Sequence, residues 1–248
     1  MKQKNRIEIR QNDVDFFFFL HSVKAATIEQ VGRDAYPLLK KWALYKRLQM
    51  LQNEGLVQGS ITSSSGHRKV YSITRKAFRK YLSNAHVKRK ELKSDAIKHD
   101  LGLVEIRYAL LNLDRVTRFI PENSLQTWSS DLLGKEIEPF VISNSDAAAQ
   151  ITVSQTSIFF ALEYELSLKT ETRYQETIRK YYLESEVTRV LYVVESSNDL
   201  KKIMDIEKTM DRKCLGKFFY TTFEKLVQKK ESKFINWKGE VINLGVQG

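Results

Sequence analysis

With 248 residues, 42% of them apolar, the chain is long enough for one large domain or two ordinary ones and too apolar to be disordered throughout. No apolar run approaches the roughly 18 residues of a membrane span. The opening residues, MKQKNRIEIRQND, lack the apolar core of a signal peptide, and the single cysteine, Cys214, excludes an intrachain disulfide and a cysteine-based zinc site.

These features suit a cytoplasmic protein. The net charge of +11 is uneven: residues 1–98 carry 21 Lys and Arg against 8 Asp and Glu, whereas residues 99–248 carry 20 against 22. A basic front of this kind points to a polyanionic partner, most commonly nucleic acid.

In chain order, Asn12 or Asp13 is expected to cap a first helix, DVDFFFFLHSVK. Thr27, with Gln30 three residues on, predicts a capping box for a second helix, IEQVGRDA. Pro37 suits the start of a third, PLLKKWALYKRLQMLQNEG, in which Leu38, Trp42, Tyr45, Leu48 and Leu51 fall at helical spacing and are expected to face the core. Gly55 would end it. LVQGSI and RKVYSI, separated by the polar TSSSGH, predict a hairpin, and Thr74 would cap a further helix, RKAFRKYL.

Helix, helix, helix, hairpin, helix is the order of a winged helix-turn-helix over residues 10–83. YKRLQMLQNEGLV and VYSIT resemble the recognition helix and wing of many bacterial DNA-binding domains. The third helix would then enter the major groove, and the tip around Ser63 to Arg68 would meet the backbone or minor groove. The candidate DNA contacts are Lys40, Lys41, Lys46, Arg47, Arg68 and Lys69, with Arg47 and Arg68 foremost. Solvated lysines and protein-binding winged helices are the plainer alternative.

Residues 84–98, NAHVKRKELKSDAIK, read as a basic linker, and residues 99–248 as a second domain. The run from Ile97 to Leu113 predicts a helix with Leu101, Val104, Ile106, Leu110 and Leu113 inward, and SLQTWSSDLL reads as short and irregular. Ala147–Val153 and Ile158–Leu166 read as two strands joined by a four-residue loop, 154–157. That register pairs Val153 with Ile158, Ala148 with Glu163 and Asp146 with Glu165, so Asp146, Glu163 and Glu165 share one face. Clustered carboxylates need a cation, basic neighbours or a proton, and a hard divalent ion, Mg²⁺ or Mn²⁺, would fit. The plainer account is a polar sheet face neutralised by Lys169, Arg173 and Arg189. A helix over KTETRYQETIRKYY brings Lys180 and the tyrosines Tyr174 and Tyr181 near, and TRVLYVVES reads as a strand buried on both faces. The C-terminal FFYTTFEKLVQKKESKFINWKGEVINLG reads as strand, helix and closing strand. His21, His67, His86 and His99 are too scattered for a metal cluster, and no Gly-rich phosphate loop is visible.

An aspartate before one strand, followed by an acid and a lysine at the end of the next, resembles the PD-(D/E)xK nuclease pattern. Together with the winged helix and HDLGL, TWSSDLL, SDAAAQ, ALEYELSLKTETRY and VLYVVES, the layout is similar to the replication-relaxation family of plasmids and mobile elements, which includes MobC-type relaxosome proteins. The resemblance spans about residues 10–197. It implies an α+β protein, a winged helix followed by an α/β nuclease-like domain, that binds double-stranded DNA near a replication or transfer origin. It further implies, for some members, metal-dependent nicking. Asp146 and Glu163 would be the metal ligands. Glu165 stands where the lysine is expected, and Ser145 replaces the proline, so the lysine role would pass to Lys169 or Lys180. The alternatives are a catalytically inactive accessory factor that recruits a relaxase, replication or coupling protein, and a winged-helix transcription regulator.

Overall fold

The structure is a computed structural model that describes residues 7–83, 92–153, 156–167, 169–211, 213 and 215–245. The linker expected over 84–98 lies outside the described residues as far as residue 91, as does Cys214. The chain is mixed α+β and divides into two compact units: residues 1–104 with 127–129, and residues 105–126 with 130–248. The division falls beyond the expected linker because hydrogen bonds hold the following residues to the first unit. Gln30 Nε2 donates to the Leu101 carbonyl at 3.0 Å, and the rings of Phe18 and Trp128 pack in a T-shape.

In the first unit, α1 (Gln11–Val23) buries Phe16, Phe17, Phe19 and Leu20. Its N-cap is Arg10, and Asp13, expected as a cap, is the third helical residue, whose carboxylate accepts from the Arg10 N–H at 2.8 Å. β1 (Ala26–Thr27) leads into α2 (Ile28–Asp34), where Thr27 and Gln30 bond reciprocally as a capping box. α3 (Lys41–Asn53) starts four residues after Pro37, because Lys40 is still extended. Its buried residues are Leu44, Leu48 and Leu51; Leu38, Trp42 and Tyr45, expected inward, are 95%, 68% and 48% exposed. The helix has apolar residues on two sides, so spacing alone admits either stripe, and packing against α1 and the sheet selects the aliphatic one.

Gly55, at φ +66°, ends α3 in a left-handed conformation, with the Leu56 N–H reaching the Leu51 carbonyl and the Gly55 N–H that of Gln52. The hairpin β2 (Val57–Ile61) and β3 (Lys69–Ile73) follows as expected, and β1 adds to the β3 edge to make a three-stranded sheet. Thr74 then caps α4 (Arg75–Ala77), which continues as a wider turn through Leu82. α5 (Ile97–Leu111) carries the division between the units at Val104.

The second unit is built on a seven-stranded sheet. β4 (Val116–Pro121), a strand with no counterpart in the sequence reading, is followed by α6 (Glu122–Thr127) and α7 (Ser130–Leu133), short helices over the stretch expected to be irregular, and by α8 (Glu138–Ile142), a helix the sequence reading lacks. β5 (Ala147–Val153) and β6 (Thr156–Glu165) form the hairpin, α9 (Glu171–Leu183) crosses to β7 (Val190–Val194), and α10 (Ser197–Met210) crosses to β8 (Phe218–Thr222). α10 is a second helix that the sequence reading lacks. β9 (Lys233–Ile235) and β10 (Val241–Asn243) close the edge as a hairpin, with only one wide turn at Glu224–Gln228 where a helix is expected. The strand order is β10-β9-β8-β7-β6-β5-β4, with β6, β7 and β8 parallel and all other neighbours antiparallel. β7 is buried at every position, as expected of a central parallel strand.

The hairpin register corrects the expected one by two residues. Val153 pairs with Thr156 rather than Ile158, so Ala148 stands opposite Ala161, not Glu163. One step beyond the Ala147–Leu162 pair, Asp146 faces Glu163, not Glu165. A shift of two leaves every side chain on its expected face. The apolar pattern therefore fits both registers, and only the pairing of the two strands distinguishes them.

Candidate functional site

Asp146 and Glu163 are neighbours across the ends of β5 and β6. Asp146 Oδ2 accepts from the Tyr164 N–H at 2.7 Å, and its carbonyl accepts from the Glu122 N–H at 2.7 Å, which fixes the residue at the strand entrance. Tyr192 of β7 stands in register with Glu163 and shares its face. Burial pushes the Tyr192 phenol well above its ordinary range, and the charges of Glu163, Glu165 and Asp146 add to this. The shared face inferred from alternation is therefore observed, although it is covered by α9 rather than left to solvent.

Tyr174, Ile178 and Tyr181 make the buried stripe of α9. From it the Tyr181 hydroxyl donates to Glu163 Oε1 and meets Ser145 Oγ at 2.8 Å, while Lys180 Nζ lies 3.9 Å from the same carboxylate oxygen. Burial, reinforced by the Asp146 charge, raises the Glu163 carboxyl to about 8, against the pull of Lys180 and Tyr181. Glu165 is drawn aside: Lys169 Nζ binds its Oε2 at 2.9 Å. The cations paired at this face are thus Lys169 and Lys180. Arg173 is exposed on α9, and Arg189 stacks on Phe219. Tyr174 accepts the Lys169 N–H at 2.9 Å.

Among the described residues no group of three or more His, Cys, Asp or Glu side chains is placed to hold a metal. The expected three-carboxylate meeting therefore reduces to the pair Asp146–Glu163. These two are the carboxylates of this face that could hold a cation, in the mode where one or two carboxylates bind and waters complete the shell.

The first unit presents its cations outward. Lys40, Lys41 and Lys46 are exposed around α3, and Arg68 and Lys69 at the hairpin. Lys46 Nζ sits 3.9 Å over the Trp42 ring, and Lys69 Nζ reaches Gln52 Oε1 at 3.0 Å. Arg47 is placed differently. Its Nε binds Asp13 Oδ1 at 2.8 Å, and its Nη2 binds Asp13 Oδ2 and the Glu8 carbonyl. Tyr36 donates to the same carboxylate at 2.7 Å. Burial works against the Asp13 charge, but the bonds from Arg47, Tyr36 and the Arg10 N–H outweigh it and hold the carboxyl below its usual value. Arg47 therefore ties α3 to α1.

The sequence reading misses a second buried carboxylate. Glu207 of α10 accepts from the Tyr182 hydroxyl at 2.7 Å, the Tyr220 hydroxyl at 3.0 Å and the Phe218 N–H at 3.2 Å, and burial raises it to about 7. Nearby, buried Lys217 donates to the Tyr181 and Glu184 carbonyls at the end of α9. The available signal was the Ser196 cap followed by the amphipathic run SNDLKKIMDIEKTM, in which Glu207 falls four residues after the buried Ile203.

No family model matches this sequence, no curated protein matches it, and no solved structure matches its fold. Among the described residues no helix is long and apolar enough to cross a membrane.

Proposed function

We propose that this protein binds double-stranded DNA through its basic first unit, a winged helix, and carries in its second unit a nuclease-like site in which Asp146 and Glu163 hold a divalent cation. Its role would lie in replication or mobilisation of a plasmid or other mobile element. The observation that carries the reading is Asp146, just before β5, held beside Glu163 of β6 by the Tyr164 N–H and close enough for its charge to act on the Glu163 carboxyl, in an order strand, strand, helix, strand. Exposed Lys40, Lys41, Lys46, Arg68 and Lys69 supply the phosphate-binding charge.

A bound Mg²⁺ or Mn²⁺ would supply a polarised water or phosphoryl oxygen. Asp146 would present an oxygen from a position fixed by Tyr164 and Glu122. Lys180, beside Glu163, would add positive charge where a phosphodiester builds up negative charge. Incubation with supercoiled plasmid and Mg²⁺ or Mn²⁺ should produce nicked circles, and Asp146→Ala should abolish them without loss of DNA binding.

A second reading, an accessory factor that binds DNA and recruits a relaxase, replication or coupling protein, is favoured by the hold of Tyr181 and Lys180 on Glu163 and by Glu165 in the lysine position. Intact DNA binding with no nicking of any plasmid, the native origin included, would decide for it.

A further inference from the structure

The outer face of α3 mixes side chains of the kind that read base edges in a duplex, Lys41, Lys46, Gln49 and Asn53, with exposed aromatic rings. Side chains that do so are chiefly Arg, Lys, Asn and Gln with their polar ends presented to the groove. Here the two most prominent side chains are Trp42 and Tyr45, 68% and 48% exposed, with Leu38 at 95% just before the helix. Trp42 and Tyr45 are three residues apart and therefore neighbours on the helix surface, with Cβ atoms about 5–6 Å apart. Lys41 lies four residues before Tyr45, and Lys46, four residues after Trp42, already rests on the indole at 3.9 Å. The indole retains most of its surface open despite that contact. Large rings kept in water and flanked by cations match what a protein offers to unpaired nucleotides: a π-face for each base and positive charge for the backbone.

We propose that the Trp42–Tyr45 face of α3 binds single-stranded DNA by base stacking, with Lys40, Lys41 and Lys46 on its phosphates. The proposal rests on the DNA-binding reading of the first unit and narrows it: the wing cations serve duplex phosphates, while α3 takes unpaired bases. The natural substrate would then be a melted or frayed duplex rather than an intact one. The net positive charge of the surrounding surface selects this occupant over an apolar protein surface.

The test compares full-length protein binding to oligo(dT), to a blunt duplex of equal length and to a duplex with a single-stranded arm. Oligo(dT) should quench tryptophan emission, and the quench should vanish in Trp42→Ala. Trp42→Ala and Tyr45→Ala should each weaken oligo(dT) and arm binding about tenfold, while Trp42→Phe keeps most of it. Blunt-duplex affinity should change less than about twofold, since it depends on phosphate contacts. Both side chains are exposed, so the variants should fold, and unchanged circular dichroism would establish that. Wild-type protein that binds duplex but not oligo(dT) overturns this inference and leaves the DNA-binding reading standing. An equal loss of duplex and single-strand affinity in Trp42→Ala also overturns it, as does conversion of an oligomer to a monomer by that substitution. Failure of the wild type to bind any DNA removes the underlying reading as well.

Discussion

The two units use charge in opposite ways. In the first, the cations of α3 and the hairpin stand in solvent, and the main buried charge pair, Asp13–Arg47, joins two helices. In the second, carboxylates are drawn inward: Glu163 and Glu207 sit between helix and sheet, each receiving a tyrosine hydroxyl and each with a raised carboxyl. A solvated cation costs little and remains available to a polyanion. A buried carboxylate is costly and persists only where hydrogen bonds, a proton or a cation compensate it. The first unit is therefore organised for contact at its surface and the second for chemistry or rigidity within.

The contrast breaks most sharply at Glu207. Replacing it with alanine strands the Tyr182 and Tyr220 hydroxyls and the Phe218 N–H, and urea unfolding should show a loss of about 3 kcal/mol, with Glu207→Gln recovering most of it. A loss below about 1 kcal/mol for the alanine variant would mean that the inward carboxylate is not structural.

pH should separate the units by sign. Folded Glu207 holds its proton to about 7, whereas the unfolded chain releases it near 4.5. Stability from this group is therefore full below 4.5 and falls as pH rises through 7, by roughly 3 kcal/mol in all. His21 is fully buried against Phe78 and lowered to about 4 by that burial, so the unfolded chain takes up a proton first. Its effect is absent above 6.5 and costs a further roughly 3 kcal/mol as pH falls to 4. Hydrogen exchange resolved by unit should show acid loosening the first and rising pH loosening the second. The same response in both would undo the comparison.

Asp13→Ala should cost about 2 kcal/mol in urea unfolding by leaving Tyr36 without its acceptor and Arg47 without its counter-ion. Thr27→Ala, which removes the α2 cap, should cost about 1 kcal/mol. The smallest effects should appear at the surface. Lys40→Ala, Lys46→Ala and Arg68→Ala should leave stability unchanged; the first two should each reduce the slope of log affinity for oligo(dT) against log salt by about 0.7 and Arg68→Ala the duplex slope by about 0.9, whereas Lys201→Ala on α10 should leave both slopes alone.

Local signals carried much of the first unit. The Thr27–Gln30 box, the Gly55 stop and the hairpin flanking TSSSGH were legible because each depends on residues within a few positions of one another. The same holds for the shared face of Asp146, Glu163 and Glu165, since alternation along a strand is a local rule. β4 and α10 were available in VTRFIP and in the Ser196 cap but needed neighbours to be recognised as parts of one sheet.

Tertiary structure alone decided the rest. Arg47 looks like any exposed helix cation until Asp13, 34 residues earlier, is packed beside it. Trp42 and Leu44 are both plausible core residues, and only the position of α1 and the sheet sends one inward and the other to solvent. The hairpin register and the hold of Tyr181 on Glu163 follow from which segments meet, and periodicity does not encode that. Sequence by itself determined which side of each element a residue takes, because backbone geometry sets that within a few residues. What each side meets, and hence which charge is free, paired or protonated, was set by packing between segments distant in the chain.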